Sequence, residues 1–290
     1  MKFGIMFANI GPMAHAEGAV AIGQAAEEAG FESLWAVEHT VVPAGYQSQY
    51  PYSDDGRMPG GEDFDIPDPL IWLTYVAAST STIRLGTGIL ILPQRNPVTL
   101  AKEVATLDRL SGGRMELGIG VGWLEEEFDA LGIPFADRGK RTDEHIEALR
   151  ALWTQEKATH QGTYSSFTNA ISRPQPTQTN VPITVGGHSK AAARRAGRIG
   201  DGFFPGRGEH ELLAELIDIV RSTAVEHGRD PDSIAITAGG NGAIGKGALD
   251  EVKALADLGV SRVIVPPLAF DPAGQREAFS RYGEDVIAKS

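Results

Sequence analysis

Residues 82–123 read TIRLGTGILILPQRNPVTLAKEVATLDRLSGGRMELGIGVGW, and the fold is decided inside this stretch. Ile83 to about Leu92 is apolar and rich in β-branched residues, which predicts a strand. Gly86 and Gly88 interrupt it, and glycine inside a strand marks the close approach of another backbone or of a ligand. Asn96 is placed to cap a helix whose first residue is Pro97. Leu100, Val104 and Leu107 recur at helical spacing, and Gly112-Gly113 ends the run. Met115–Gly120 predicts a second strand, and its end is again marked by spaced glycines, Gly118, Gly120 and Gly122. Two strands joined by a helix of this length form a parallel βαβ unit. Both place small residues at their C-terminal ends, the side on which such folds bind ligands.

The alternation extends in both directions. Upstream lie a strand at Lys2–Phe7, a helix at Glu17–Ala29, a strand at Ser33–Val37 and a helix at Asp68–Ser79. Downstream, strands are expected at Ile183–Val185, Gly202–Phe204, Ile234–Thr237 and Arg262–Val265. Helices are expected at Arg141–Trp153, Ser189–Ile199, Glu209–His227, Leu249–Leu258 and Pro272–Ala288. Eight strands alternating with helices predict an α/β fold, a closed (β/α)8 barrel in a single domain over residues 1–290. Three segments break the alternation: residues 40–67, residues 123–137, and a hairpin in 157–168 turning at Gln161-Gly162. The first follows the C-terminal end of a strand, so it should cover the ligand face, and aperiodic loops of this length are usually functional.

Bulk properties narrow the function. The 290 residues carry a formal charge of −12, which argues against nucleic acid or an anionic membrane as the main partner. The chain has no cysteine, so disulfides, thiolate nucleophiles and thiolate metal sites are excluded. KFGIMF leads straight into a strand without a secretory leader, and no stretch reads as a membrane span, so a cytoplasmic protein is expected.

Two places carry chemistry. Glu38-His39 sits where the second strand meets the long loop, on the catalytic face of a barrel, and imidazole titrates near neutrality. Glu38 is placed to orient His39. Gly186-Gly187-His188-Ser189 lies between a strand and a helix, where free N–H groups and the helix dipole favour phosphate. Each also has a plain reading, a surface histidine and a tight βα turn. Gly118 to Trp123 imitates a dinucleotide fingerprint but has Trp123 at the third glycine, and Gly240 to Gly247 imitates a phosphate-cradling loop but lacks the magnesium-binding hydroxyl. The histidines show no metal spacing.

Together these stretches resemble the luciferase-like monooxygenase superfamily, and within it the actinobacterial branch that uses the deazaflavin coenzyme F420. The likeness is carried by ESLWAVEHTVVP, by DPLIWLTYVAASTSTIRLGTGILILPQRNPVTLAKEVATLDRLSGGRMELGIGVGWLEEEFDALGIPFADRGKRTDE, and by PITVGGHSKAAARRAGRIGDGFFP. The resemblance implies that His39 contacts the cofactor ring and acts as acid/base. It implies a non-prolyl cis peptide at Gly88-Ile89 behind that ring, and a phosphate on Gly186, Gly187, His188 and Ser189. Asn9, Val121, Gly122 and Trp123 join the cofactor contacts by the same carry-over. Trp123 stands where a sugar-phosphate dehydrogenase of the family has a catalytic glutamate, which points to a more apolar pocket. The family implies a homodimer acting on a small-molecule substrate. An FMN-dependent monooxygenase, a non-catalytic flavin-binding protein and a flavin-free phosphate-binding barrel isomerase are the alternatives. Arg95, Lys190, Arg194, Arg195 and Arg207 are the candidate cations for an anionic cofactor.

Overall fold

In the computed structural model, which describes residues 1–206 and 209–290, the expected alternation closes on itself. In chain order the elements begin with β1 (Lys2–Met6), α1 (Ala16–Glu28), β2 (Ser33–Ala36), α2 (Pro69–Ala77), β3 (Arg84–Thr87) and β4 (Leu90–Ile91). Next come α3 (Pro97–Leu110), β5 (Met115–Gly120), α4 (Glu125–Ala130), α5 (Arg138–Thr154), β6 (Ala158–Gln161), β7 (Ser166–Ala170) and β8 (Ile183–Gly186). The chain finishes with α6 (Lys190–Ile199), β9 (Gly202–Phe204), α7 (His210–Glu226), β10 (Ala235–Gly239), α8 (Ala248–Asp257), β11 (Arg262–Val265) and α9 (Pro272–Asp285). The large sheet runs β3-β2-β1-β11-β10-β9-β8-β5-β4, and a β3–β5 pairing closes it. All of its pairings are parallel, as crossover helices require. The result is a (β/α)8 barrel.

Three local expectations are corrected. The strand expected from Ile83 to Leu92 is two pieces, broken at the Gly88-Ile89 peptide, which is cis. β3 pairs β5 through Leu85↔Met115, and β4 resumes the same barrel position through Leu90↔Ile119. The hairpin of β6 and β7 turns over residues 162–165, and the Glu144 carboxylate accepts the N–H groups of Thr163, Tyr164 and Ser165. The segment 123–137 is not a plain insertion: it contains α4.

Glycines inside the barrel make room for side chains. The Trp35 indole is fully buried and donates from Nε1 to Ser33 Oγ at 3.0 Å. A Cβ built on Gly86 would lie 2.7 Å from the indole, and one on Gly118 would meet Thr87 O at 1.8 Å and the indole at 3.2 Å. Close approach is therefore the reason for these glycines, by an indole and a neighbouring backbone. An aromatic side chain of this size buries roughly 150–250 Å², about 4–6 kcal/mol of transfer free energy.

Beneath Trp35 a charged cluster closes the end of the barrel where the strands begin. Arg262 donates to both oxygens of Glu116, at 3.0 and 2.9 Å, and to both oxygens of Glu32, at 2.9 and 3.1 Å. Thr184 and Thr237 complete the hydrogen bonding, and the guanidinium stacks 5.1 Å from the Trp35 ring. Two bidentate contacts satisfy a buried charge as fully as protein groups can.

Candidate active site

The opposite end of the barrel, where the strands finish, gathers the residues singled out in the sequence. His39 lies just beyond β2 with its side chain 9% exposed. Its Nδ1 is 3.0 Å from Glu127 Oε2, and Glu127 is fully buried. The other oxygen, Oε1, accepts the backbone N–H groups of Thr40 at 2.6 Å and Val41 at 3.3 Å. Glu127 belongs to α4, one residue after Glu126, whose carboxylate accepts the Ser48 hydroxyl and the N–H of Gln47. The Ser48 hydroxyl leads a set of hydrogen bonds that hold the Glu126 carboxyl down at about 2. Adjacent glutamates of one short helix thus hold Thr40, Val41, Gln47 and Ser48 at the start of the long loop.

This corrects the role expected for Glu38. Its side chain turns away from His39, because Arg95 and the Ile91 N–H both donate to it. Arg95 also donates to Asp68 Oδ2 at 2.6 Å, and Asp68 caps α2 through its other oxygen. Glu38 therefore ties β2 and β4 to the start of α2 and is not an orienting partner of His39. Asn9 is a second clip: its amide exchanges hydrogen bonds with Val37 O and Val37 N at 2.9 and 2.8 Å and also reaches Pro67 O.

Aromatic side chains form an arc over the barrel mouth. Trp123 meets His39 edge to face at 5.7 Å, Tyr46 at 5.4 Å and Tyr50 at 5.2 Å. Tyr50 continues to Tyr52 at 5.4 Å, and Tyr52 meets His188 at 5.0 Å. Burial first, then the neighbouring tyrosines, pushes the Tyr50 hydroxyl up to about 12, so it stays neutral. The loop that the sequence left shapeless therefore places Tyr46 and Tyr50 against Trp123, and through Tyr52 it reaches the second candidate histidine, His188.

Ile89 sits between the other expected ligand positions. A Cβ on Gly120 would lie 2.4 Å from Ile89 Cδ1, and one on Gly186 would lie 2.6 Å from Ile89 Cγ2. Gly122 gives way to Phe128 and Ile91 in the same manner, and Val121 is half-buried beside it. At the β8–α6 turn, Gly187 has φ +111°, which favours glycine. Its N–H donates to Phe204 O, and Ser189 Oγ accepts from Ala192 N, capping α6. The amides of Lys190 and Ala191 remain at the helix start, where an anion is favoured. The turn therefore fits a phosphate and the aromatic wall fits a planar ring.

The expected cations divide. Arg95 is committed to Glu38 and Asp68, Lys190 to Glu215, and Arg195 to Asp143, whereas Arg194 has no ion pair among the described residues. Arg207 lies outside the described residues. No group of histidines and carboxylates among the described residues could hold a metal. Sequence reasoning missed Glu127 and the three tyrosines. Glu127 left no signal, since nothing in LEEEF sets it apart from Glu125 and Glu126.

Comparison with known proteins agrees with the fold. Residues 1–277 match the luciferase-like monooxygenase family. An uncharacterized protein of Mycobacterium tuberculosis is 32% identical over 274 residues, covering 93% of this chain and 92% of that protein. The F420-dependent glucose-6-phosphate dehydrogenase of Kineococcus radiotolerans is 33% identical, over 72% of this chain and 58% of its own length. The FMNH2-dependent dimethylsulfone monooxygenase of Pseudomonas putida is 30% identical, over 71% of this chain and 53% of its own. Among solved structures, a monooxygenase of Streptomyces bottropensis superposes with a TM-score of 0.76 at 25% identity, covering 100% of this chain and 99% of that one.

Proposed function

The chain belongs to the luciferase-like monooxygenase family and is an enzyme, and from that premise we propose that it is a cytoplasmic oxidoreductase that uses coenzyme F420 on a small, uncharged organic substrate. When bound, the deazaflavin supplies a site that gives or takes a hydride. The observation that carries the reading is the buried His39–Glu127 pair beside an aromatic wall. In an oxidation, the substrate hydroxyl gives its proton to the imidazole as its carbon loses hydride; in a reduction the imidazole returns it. Trp123, Tyr46 and Tyr50 wall this position, and among the described residues the arginine beside them is not free: Arg57 is held by Tyr46, through its carbonyl and over its ring. That wall suits an apolar substrate and not a sugar phosphate. The β8–α6 turn is read as the holder of the cofactor phosphate, with Arg194 nearby in sequence to add charge.

An FMN-dependent monooxygenase is the second reading, favoured by the Pseudomonas relative. Titration calorimetry separates the two. Deazaflavin is expected to bind at least tenfold more tightly than FMN, about 1.4 kcal/mol; tight FMN binding with no deazaflavin binding reverses the reading. A protein that binds either cofactor yet turns over no alcohol or carbonyl substrate would favour flavin storage.

The enzyme is read as a homodimer that joins through α2 and α3. The α2 segment PLIWLTYVA has no charged residue, and Ile71 and Tyr75 are 74% and 50% exposed on it. Leu110 of α3 is 69% exposed beside them. A helix apolar all round requires cover, and a twofold contact of α2 and α3 with a second copy would supply it. Sedimentation at micromolar concentration should give a dimer for the native chain and a monomer for Leu110→Glu. A native monomer refutes the interface.

A further inference from the structure

We infer that Glu127 is the positioning residue of the site, and that it must be a carboxylate because it sets which nitrogen of His39 carries the proton. The inference deepens the reading of His39 as the proton-transfer group and rests on it.

Glu127 faces donors on both oxygens. Oε1 accepts the N–H groups of Thr40 and Val41, which can only donate. Oε2 faces His39 Nδ1 at 3.0 Å. A carboxylate can only accept, so Nδ1 must carry hydrogen. The neutral imidazole then has its lone pair on Nε2, free for a substrate proton. The buried surroundings hold the geometry: Glu127 is fully buried, and Trp123 packs edge-on against the imidazole. The carboxylate also anchors the start of the long loop.

Glutamine at this position separates the two roles. It has one carbonyl oxygen and one NH2 group. The oxygen must stay against Thr40 and Val41, since an NH2 there would meet two donors at 2.6 and 3.3 Å. The NH2 group then faces His39 and donates to Nδ1, which must give up its hydrogen. The proton moves to Nε2 and the lone pair is lost from the substrate side. The loop anchor survives while the tautomer inverts.

The test is nitrogen NMR of the histidine rings in the full-length protein without cofactor, at a pH where imidazole is neutral. The His39 signals are identified by their absence in His39→Gln. The native protein should show hydrogen on Nδ1, and Glu127→Gln should show it on Nε2. Once a substrate is found, Glu127→Gln should lower kcat about 10²–10⁴-fold, the range for a misdirected general base, with KM and deazaflavin affinity changed less than about threefold. Glu127→Asp should recover part of the loss. A native Nε2–H tautomer overturns the inference even if no variant folds. So does an unchanged tautomer in Glu127→Gln, whatever its activity, because that outcome leaves Glu127 a loop anchor only. Because the NMR needs no cofactor, a failed deazaflavin titration would refute the cofactor reading and leave this one standing.

Discussion

At the closed end of the barrel Glu116 and Glu32 face Arg262; at the open end Glu127 faces His39. All are glutamates lodged in or against the core, and what differs is the partner. A guanidinium stays charged at any working pH, so the closed end is a permanent charge pair whose only work is to hold strands together. Imidazole takes and releases a proton near neutrality, so the same kind of buried carboxylate at the open end governs a group that can react. Glu38 shows how little separates the two cases. It adjoins His39 in the chain and sits at the open end, yet its pairing with Arg95 makes it structural.

The contrast breaks most visibly at His39. His39→Ala should lower turnover about 10²–10⁴-fold and leave deazaflavin affinity within about tenfold, 1.4 kcal/mol. Full turnover would assign His39 to the wall of the site.

Arg262→Ala should do the reverse. It leaves Glu116 with Arg84 at 3.6 Å and Glu32 with Lys2 at 3.5 Å in place of the two bidentate contacts, and because removing one partner of a fully buried pair costs about 3–5 kcal/mol, the loss here should lie at or below that range. Urea unfolding reads this directly, and cofactor affinity in the folded fraction should stay as it was. A loss under about 1 kcal/mol would show that the cluster is adequately hydrated without its cation.

A smaller effect sharpens the comparison with acid. Burial works to raise the Glu32 carboxyl, but the Arg262 hydrogen bonds and charge outweigh it, and its pKa lies below the ordinary value. A lowered folded-state pKa means the unfolded chain binds the proton first. The stabilisation is therefore complete above the unfolded pKa, about 4.3, and is lost as pH falls through the folded value. Native stability should fall with acid below about pH 5, and Glu32→Gln should flatten that limb. Asp68, lowered by Arg95 and by the amides of Ile71 and Leu70 in spite of burial, acts in the same direction. An identical acid slope in Glu32→Gln would remove the closed end as its source.

The barrel was legible because its signals are local. Asn96 caps α3 through Val98 and Thr99, Pro97 opens the helix, and hydrophobic periodicity names its buried face, Leu100, Val104 and Leu107. The break at Gly88-Ile89 was legible only through family likeness, since no propensity marks it. Glycine spacing located the crowded places, and at Gly118 the cause is a neighbouring backbone, as expected, since Thr87 O would lie 1.8 Å from a Cβ there. Elsewhere the cause is a side chain from another part of the barrel, Trp35 at Gly86 and Ile89 at Gly120 and Gly186, which near-neighbour signals do not reveal.

The sequence by itself determined the alternation of strands and helices, the end of the barrel that carries the site, and the placing of His39 and the Gly186–Ser189 turn there, because propensity, capping and strand-end position depend on near neighbours. Only the tertiary structure decided the pairing: Glu127 with His39 across 88 residues, Arg262 with Glu116 across 146, and Tyr50 and Tyr52 laid over Trp123 and toward His188. A glutamate reads the same in a sequence whether it meets a guanidinium or an imidazole. Which one it meets depends on how eight strands close into a ring, and the closing of that ring gives one carboxylate a structural role and another a part in the chemistry.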